Sequence, residues 1–229
     1  MQRRSLIRRA TVLGAAGAVG STAGCLTGLF ESGPANVVLG EPEDQLADSE
    51  DLGYPAYGQS FPEFTLPEAL RDEEFSSADR DLPAVYTAFY AFCTAECILL
   101  MGGMANVQAS LADRDLLDAV DLVGITFDPT RDTPEELETD AEEAGIRYDH
   151  ERWHYLRPES DDRAEEVVEE ELGIGFEKTD EGGDVYEFQH ITITFLVNPD
   201  GVVERAYRGE DLDVERIVDD IETVVDAYA

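Results

Sequence analysis

A chain of 229 residues with 43% hydrophobic and 9% aromatic side chains can bury one ordinary core plus appendages, which excludes wholesale disorder. Its 52 acidic residues against 16 basic ones give a formal charge of -36, so acid must cover a folded surface that repels phosphate backbones, and nucleic-acid binding is disfavoured. Lys178 is the single lysine among arginines; such a composition suits concentrated salt, where the Debye length falls to about 3 Å at 1 M, and a halophilic source is expected.

The N-terminus reads as an export signal. Arg3-Arg4-Ser5-Leu6-Ile7 has the form of a twin-arginine element, a second pair follows at Arg8-Arg9, and the run from Ala10 to Phe30 carries no charge. Within it Thr22-Ala23-Gly24-Cys25 resembles a lipoprotein cleavage box, making Cys25 the expected lipid anchor and residues 1–24 the signal. The alternative is an uncleaved transmembrane anchor, because 21 uncharged residues at 1.5 Å each are about enough to span a bilayer. Either way the expected location is the extracytoplasmic face of the cell membrane. Residues 25–55 carry seven acidic side chains from Glu31 to Asp51 with little apolar periodicity, and read as a flexible tether. Its reach is on the order of 30 Å. A short tail packed against the domain is the alternative.

Residues 56–229 are expected to form the domain. Leu82 to Tyr90 is an apolar, aromatic run suited to a buried strand, and Cys93 to Asp115 carries apolar residues at helical spacing. Ala119 to Phe127 reads as a second buried strand. Thr133-Pro134-Glu135-Glu136 then supplies an N-cap, a proline in the first turn and acid for a helix ending near Gly145. Asp161 to Leu172 reads as a helix and Glu187 to Val197 as one strand. Asn198-Pro199-Asp200-Gly201 is a hairpin turn, Val202 to Tyr207 the returning strand, and Leu212 to Ala227 a closing helix. The predicted class is α/β, with a mixed central sheet flanked by helices.

With Cys25 assigned to the lipid, Cys93 and Cys97 remain as a pair at a strand-to-helix junction, where backbone N–H groups and the helix dipole favour thiolate. A spacing of four puts both on one helix face about 6 Å apart along the axis, so two thiolates can converge on one ion. A reducible disulfide is also within reach, but a bridge across one turn closes almost no loop and stabilises little. Two soft sulfurs suit Cu(I), and an added imidazole lets a site hold Cu(II) as well. His150 and His154, in the charged stretch from Asp149 to Pro158, read as surface residues. His190 opens the expected buried strand, and spacing alone does not bring it to Cys93.

Taken together these motifs resemble the Sco/SenC family, the membrane-tethered, thioredoxin-like copper proteins of cytochrome oxidase assembly. The matching elements are Cys-x-x-x-Cys after Phe89-Tyr90-Ala91-Phe92, the run Asp128-Pro129-Thr130-Arg131-Asp132-Thr133-Pro134-Glu135, and His190 ahead of Phe195-Leu196-Val197-Asn198-Pro199-Asp200-Gly201. The resemblance implies a thioredoxin-like fold with an N-terminal extension and a hairpin insertion. It implies copper held by Cys93, Cys97 and His190, with Asp128 behind the ligands, and a cytochrome oxidase copper-site subunit as partner. A monomeric metallochaperone, rather than an enzyme, is the expected role. The family commonly has proline after each cysteine, where this chain has Thr94 and Ile98, and Glu96 adds a charge before the second. Those departures keep a thiol-disulfide oxidoreductase open, with Cys93 attacking and Cys97 resolving. Asp128 has an alternative reading as a turn acid, and Arg131 and Asp132 an alternative as a mutual pair.

Overall fold

The computed structural model describes residues 36–93, 96–180 and 186–229. The expected signal and the expected lipid anchor, Cys25, lie outside the described residues, as does Thr94. Among the described residues no helix is long and apolar enough to cross a membrane.

Five strands make the central sheet, in the order β5 (Trp153–Leu156), β4 (Asp121–Thr126), β3 (Ala84–Phe89), β8 (Ile193–Val197), β9 (Val203–Arg208). β3 runs parallel to β4 and antiparallel to β8, with Ala84 opposite both Asp121 and Val197. All six residues of β3 are buried, as a central strand covered on both faces requires, and this is why its sequence is a continuous apolar run. The β8–β9 connection is the expected turn: Gly201 adopts φ +71, and Asn198 Oδ1 accepts from the N–H groups of Asp200 and Val202, both at 3.1 Å.

Helix α1 (Glu96–Asp113) buries Cys97, Leu100, Met101, Met104, Val107, Gln108 and Leu111, one stripe at helical spacing. It packs beside α4 (Val214–Tyr228), which buries Ile217, Val218, Ile221 and Val224. α2 (Pro134–Ala144) begins and ends as its caps dictate. Thr133 accepts from the Glu136 N–H, and Gly145 closes the helix in the left-handed region. The helix expected from Asp161 to Leu172 is present as α3 (Asp161–Ala164) continued by a π-helical segment, Glu165–Glu171.

Three expectations are corrected. The single strand from Glu187 to Val197 is two, β7 (Tyr186–His190) and β8, because β7 pairs with β6 (Phe176–Asp180) in a separate hairpin while β8 enters the sheet. His190 therefore ends a hairpin strand instead of opening a buried one. The charged stretch around His154 hides β5, whose four residues Trp153-His154-Tyr155-Leu156 are all buried. His154 is accordingly a core residue, gripped by Glu68 at 2.7 Å and Asp121 at 3.3 Å. His150 is half-buried and holds a turn, accepting the Arg152 N–H at 3.2 Å.

The third correction concerns the expected tether, residues 25–55, of which those from 36 onward are described. From there the chain is packed: Leu39 is in the core, and the buried Glu204 carboxylate accepts the N–H groups of Val38 and Leu39, each at 2.9 Å. Arg216 pairs with Asp44 at 2.6 Å. Gly173 sits so close to this segment that a Cβ there would stand 2.0 Å from the Gly53 carbonyl oxygen. β1 (Thr65–Pro67) and β2 (Glu74–Ser76) complete the elements as an antiparallel pair beside the β5 edge, where Glu68 bridges to Leu156.

Candidate metal centre

The site lies past the carboxyl ends of the parallel strands β3 and β4. After Phe89 the chain turns, with the Cys93 N–H reaching back to the Tyr90 carbonyl at 3.3 Å. Cys97 sits in the first turn of α1, and its N–H donates to Cys93 Sγ at 3.3 Å, a contact that supports negative charge on that sulfur. No disulfide joins the two, and both are buried. The Cys93 sulfur and burial together push the Cys97 thiol well above its ordinary range, so the metal-free dithiol holds a proton there. Glu96, the departure flagged between the cysteines, stands 4.0 Å from Cys93 Sγ.

His190 arrives from the β6–β7 hairpin. Its Nδ1 lies 3.3 Å from the Ile191 carbonyl, and since a carbonyl only accepts, Nδ1 carries a proton and Nε2 is turned toward the sulfurs. Nε2 is 3.6 Å from Cys97 Sγ. Burial opposes charge on the imidazole, but the Cys93 sulfur and the Ile191 carbonyl outweigh it, raising His190 above its usual range. The donor atoms of Cys93, Cys97 and His190 all lie within 4.8 Å of one another, so the structure brings together the three predicted ligands. Two sulfurs and one imidazole make a soft, half-sheltered donor set fitted to copper in either oxidation state.

What holds His190 there is a bed of aromatic rings that sequence reasoning missed. Its ring is 5.2 Å from Phe127 and 6.1 Å from Tyr90, and Phe188 packs on both at 5.3 and 5.2 Å. The Tyr90 hydroxyl donates to Glu187 at 2.7 Å. The signal was the period-two alternation of Tyr186, Phe188 and His190, which puts all three on one strand face.

Asp128 accepts the Tyr186 hydroxyl at 2.8 Å and pairs with Arg131, which gives it a reach to His190 through the hairpin. Arg131 and Asp132 do not pair; Asp132 is buried and takes the Thr126 hydroxyl and, at 3.0 Å, the Ala91 N–H. Four of the large hydrophobic side chains exposed among the described residues, Phe92, Ile98, Leu99 and Ile191, stand within two residues of a ligand.

Comparison with known proteins follows the same lines. No curated protein matches the chain in sequence. Solved structures do: a SCO1/SenC family lipoprotein from Bacillus anthracis str. Ames has 19% identity and a TM-score of 0.62, over 76% of this chain and 96% of that one. Bradyrhizobium japonicum ScoI, solved with copper bound, has 16% identity and a TM-score of 0.61, over 72% of this chain and 99% of that one. BsSco, a Sco family protein of cytochrome c oxidase assembly with an identified disulfide switch, has 20% identity and a TM-score of 0.61, over 76% and 96%. The fold is thioredoxin-like, as the motifs implied. The SCO1/SenC model matches residues 62–226, a span that holds both cysteines, the imidazole and the aromatic bed beneath it, and the chain belongs to that family.

Proposed function

We propose that this chain is a copper metallochaperone that supplies a membrane-bound cytochrome oxidase subunit. The observation that carries the reading is the convergence of two thiols and one imidazole within 4.8 Å at an accessible end of the sheet. The copper in B. japonicum ScoI supports it. Copper is the cargo. Cys93, Cys97 and His190 hold it, and incoming ligands of the recipient replace them stepwise, so no substrate bond is broken. Lipidation of Cys25 would keep the domain at the extracytoplasmic membrane face beside its recipient.

The test is anaerobic copper binding by the reduced protein in molar salt, with metal and thiols counted on one sample. One copper per chain is expected, lost or weakened at least 100-fold in Cys93→Ser and Cys97→Ser and, for Cu(II), in His190→Ala, and retained in His150→Ala. A second reading has its own observation: the Cys97 N–H on Cys93 Sγ prepares an attacking thiolate beside a protonated thiol, as dithiol exchange needs. His190 separates the two. Full copper binding by His190→Ala, together with reductase activity lost in either serine variant, would overturn the chaperone in favour of a thiol-disulfide oxidoreductase.

A further inference from the structure

The imidazole stands on an element that is not part of the central sheet. Strands β6 and β7 hydrogen-bond to each other, and the central five-strand sheet contains neither. The inner face of β7 therefore depends on side chains to fix its angle to the cysteine turn. At the His190 end the partners are the Phe127 and Tyr90 rings. At the Tyr186 end the partner is Arg131, from the loop after β4.

Arg131 is bound on every side. Its Nε donates to the Asp128 carboxylate and its Nη1 to the Tyr186 carbonyl at 2.8 Å. Its guanidinium lies 3.6 Å from the centre of the Tyr186 ring, 5.1 Å from Phe92 and 5.7 Å from Tyr90. Nη2 is buried with no hydrogen-bond partner, so aromatic faces take the place of a third polar contact. The other oxygen of Asp128 accepts the Tyr186 hydroxyl at 2.8 Å. One guanidinium thus joins the strand that carries His190 to Phe92, the residue before Cys93. A lysine offers a charge but no planar fork able to bond a carboxylate and a carbonyl at once.

The geometry points to Arg131 as a positioning residue: it clamps the β6–β7 hairpin onto the cysteine turn and so sets how far His190 stands from the two sulfurs. The inference rests on the copper-binding reading for its consequence but not for its mechanics. Cu(I) is held by two thiolates with little help, whereas Cu(II) needs the nitrogen. Loosening the clamp should therefore separate the two oxidation states.

Two measurements on the full chain test it. In the metal-free protein, amide hydrogen exchange along Tyr186–His190 should quicken at least tenfold in Arg131→Met while β3 and β4 amides hold their rates. With copper added, Cu(II) affinity should fall at least tenfold, with altered nitrogen coupling in the electron paramagnetic resonance spectrum, and Cu(I) affinity should change less than threefold. Arg131→Lys should restore only part of each effect. Tyr186→Leu, which removes the other half of the stack at a half-buried position, should reproduce both and serves if Arg131→Met does not fold. Wild-type exchange in β7 and a wild-type Cu(II) spectrum in the variants would overturn the clamp. If the wild-type chain binds no copper, the proposed function fails, and the exchange rates alone decide the clamp.

Discussion

Asp132 is a carboxyl group held where a carboxylate is costly. One oxygen takes the Thr126 hydroxyl and the Ala91 N–H, the other has no hydrogen-bond partner, and the side chain is buried. Burial pushes its pKa up to about 7 against the donors that favour its charge, with the acid of Asp128 and Asp140 adding to the rise. A raised carboxyl favours folding in its protonated form, so this contribution is lost as pH climbs from the unfolded value through the folded one. Denaturant unfolding should show Asp132→Asn gaining on wild type between pH 4 and pH 8, by a few kcal/mol at most. An equal difference at both pH values would mean the group is ionised throughout. At this scale the sequence showed Cys93, Cys97 and His190 as residue types at a family spacing. It did not show Arg131 or Asp132 in their roles, because adjacency invited pairing them, whereas the turn sends one to the hairpin and the other into the core.

Among the elements, β5 is held by charge as much as by burial. His154 lies between Glu68 and Asp121, with Arg71 on Glu68 and Arg80 on Asp121, and the Phe75 ring sits 4.8 Å away. This cluster fastens the β1–β2 pair to the sheet edge. Burial opposes charge on His154, yet both carboxylates raise its pKa above the ordinary 6.5, while burial of Glu68 and Asp121 is outweighed by their cations and both are lowered. The histidine's contribution is present below its unfolded pKa and lost as pH rises through the folded one; that of the acids is lost as pH falls below about 4. The contribution of this cluster should therefore peak between about pH 4 and 6.5 and decline above. In His154→Gln the fall in stability above pH 6.5 should become shallower than in wild type, at a cost of roughly 3–5 kcal/mol at pH 6, the range for breaking a buried pair. A decline unchanged in the variant would place the titrating group elsewhere. The sequence concealed this strand because Glu151, Arg152 and Arg157 flank it and four residues are too few for a period. α2 was legible end to end, since Thr133, Pro134 and Gly145 act locally and need no tertiary partner.

Over the whole molecule the -36 charge meets few cations, and several of those are already spent on specific partners such as Arg114 with Asp219 and Glu222. Exposed pairs of that kind contribute under about 1 kcal/mol each and weaken in salt, so screening of the general repulsion should dominate. The melting temperature should fall by tens of degrees between molar salt and dilute buffer at constant pH. A flat profile would show that the acid surface costs the fold little.

The Glu204 anchor gives the domain a polarity. Val38 and Leu39 are fastened beside the Asn198 turn, at the end of the sheet where Val197 faces Ala84, whereas β3 runs from Ala84 toward Cys93 at the other end. Six strand residues separate the ends by about 20 Å. Ten residues lie between Cys25 and Asn36, eleven steps that span at most about 38 Å. A chain that enters the domain at Asn36 thus enters it at the end of the sheet opposite the thiols and the imidazole, and that far end is left clear for whatever meets the site.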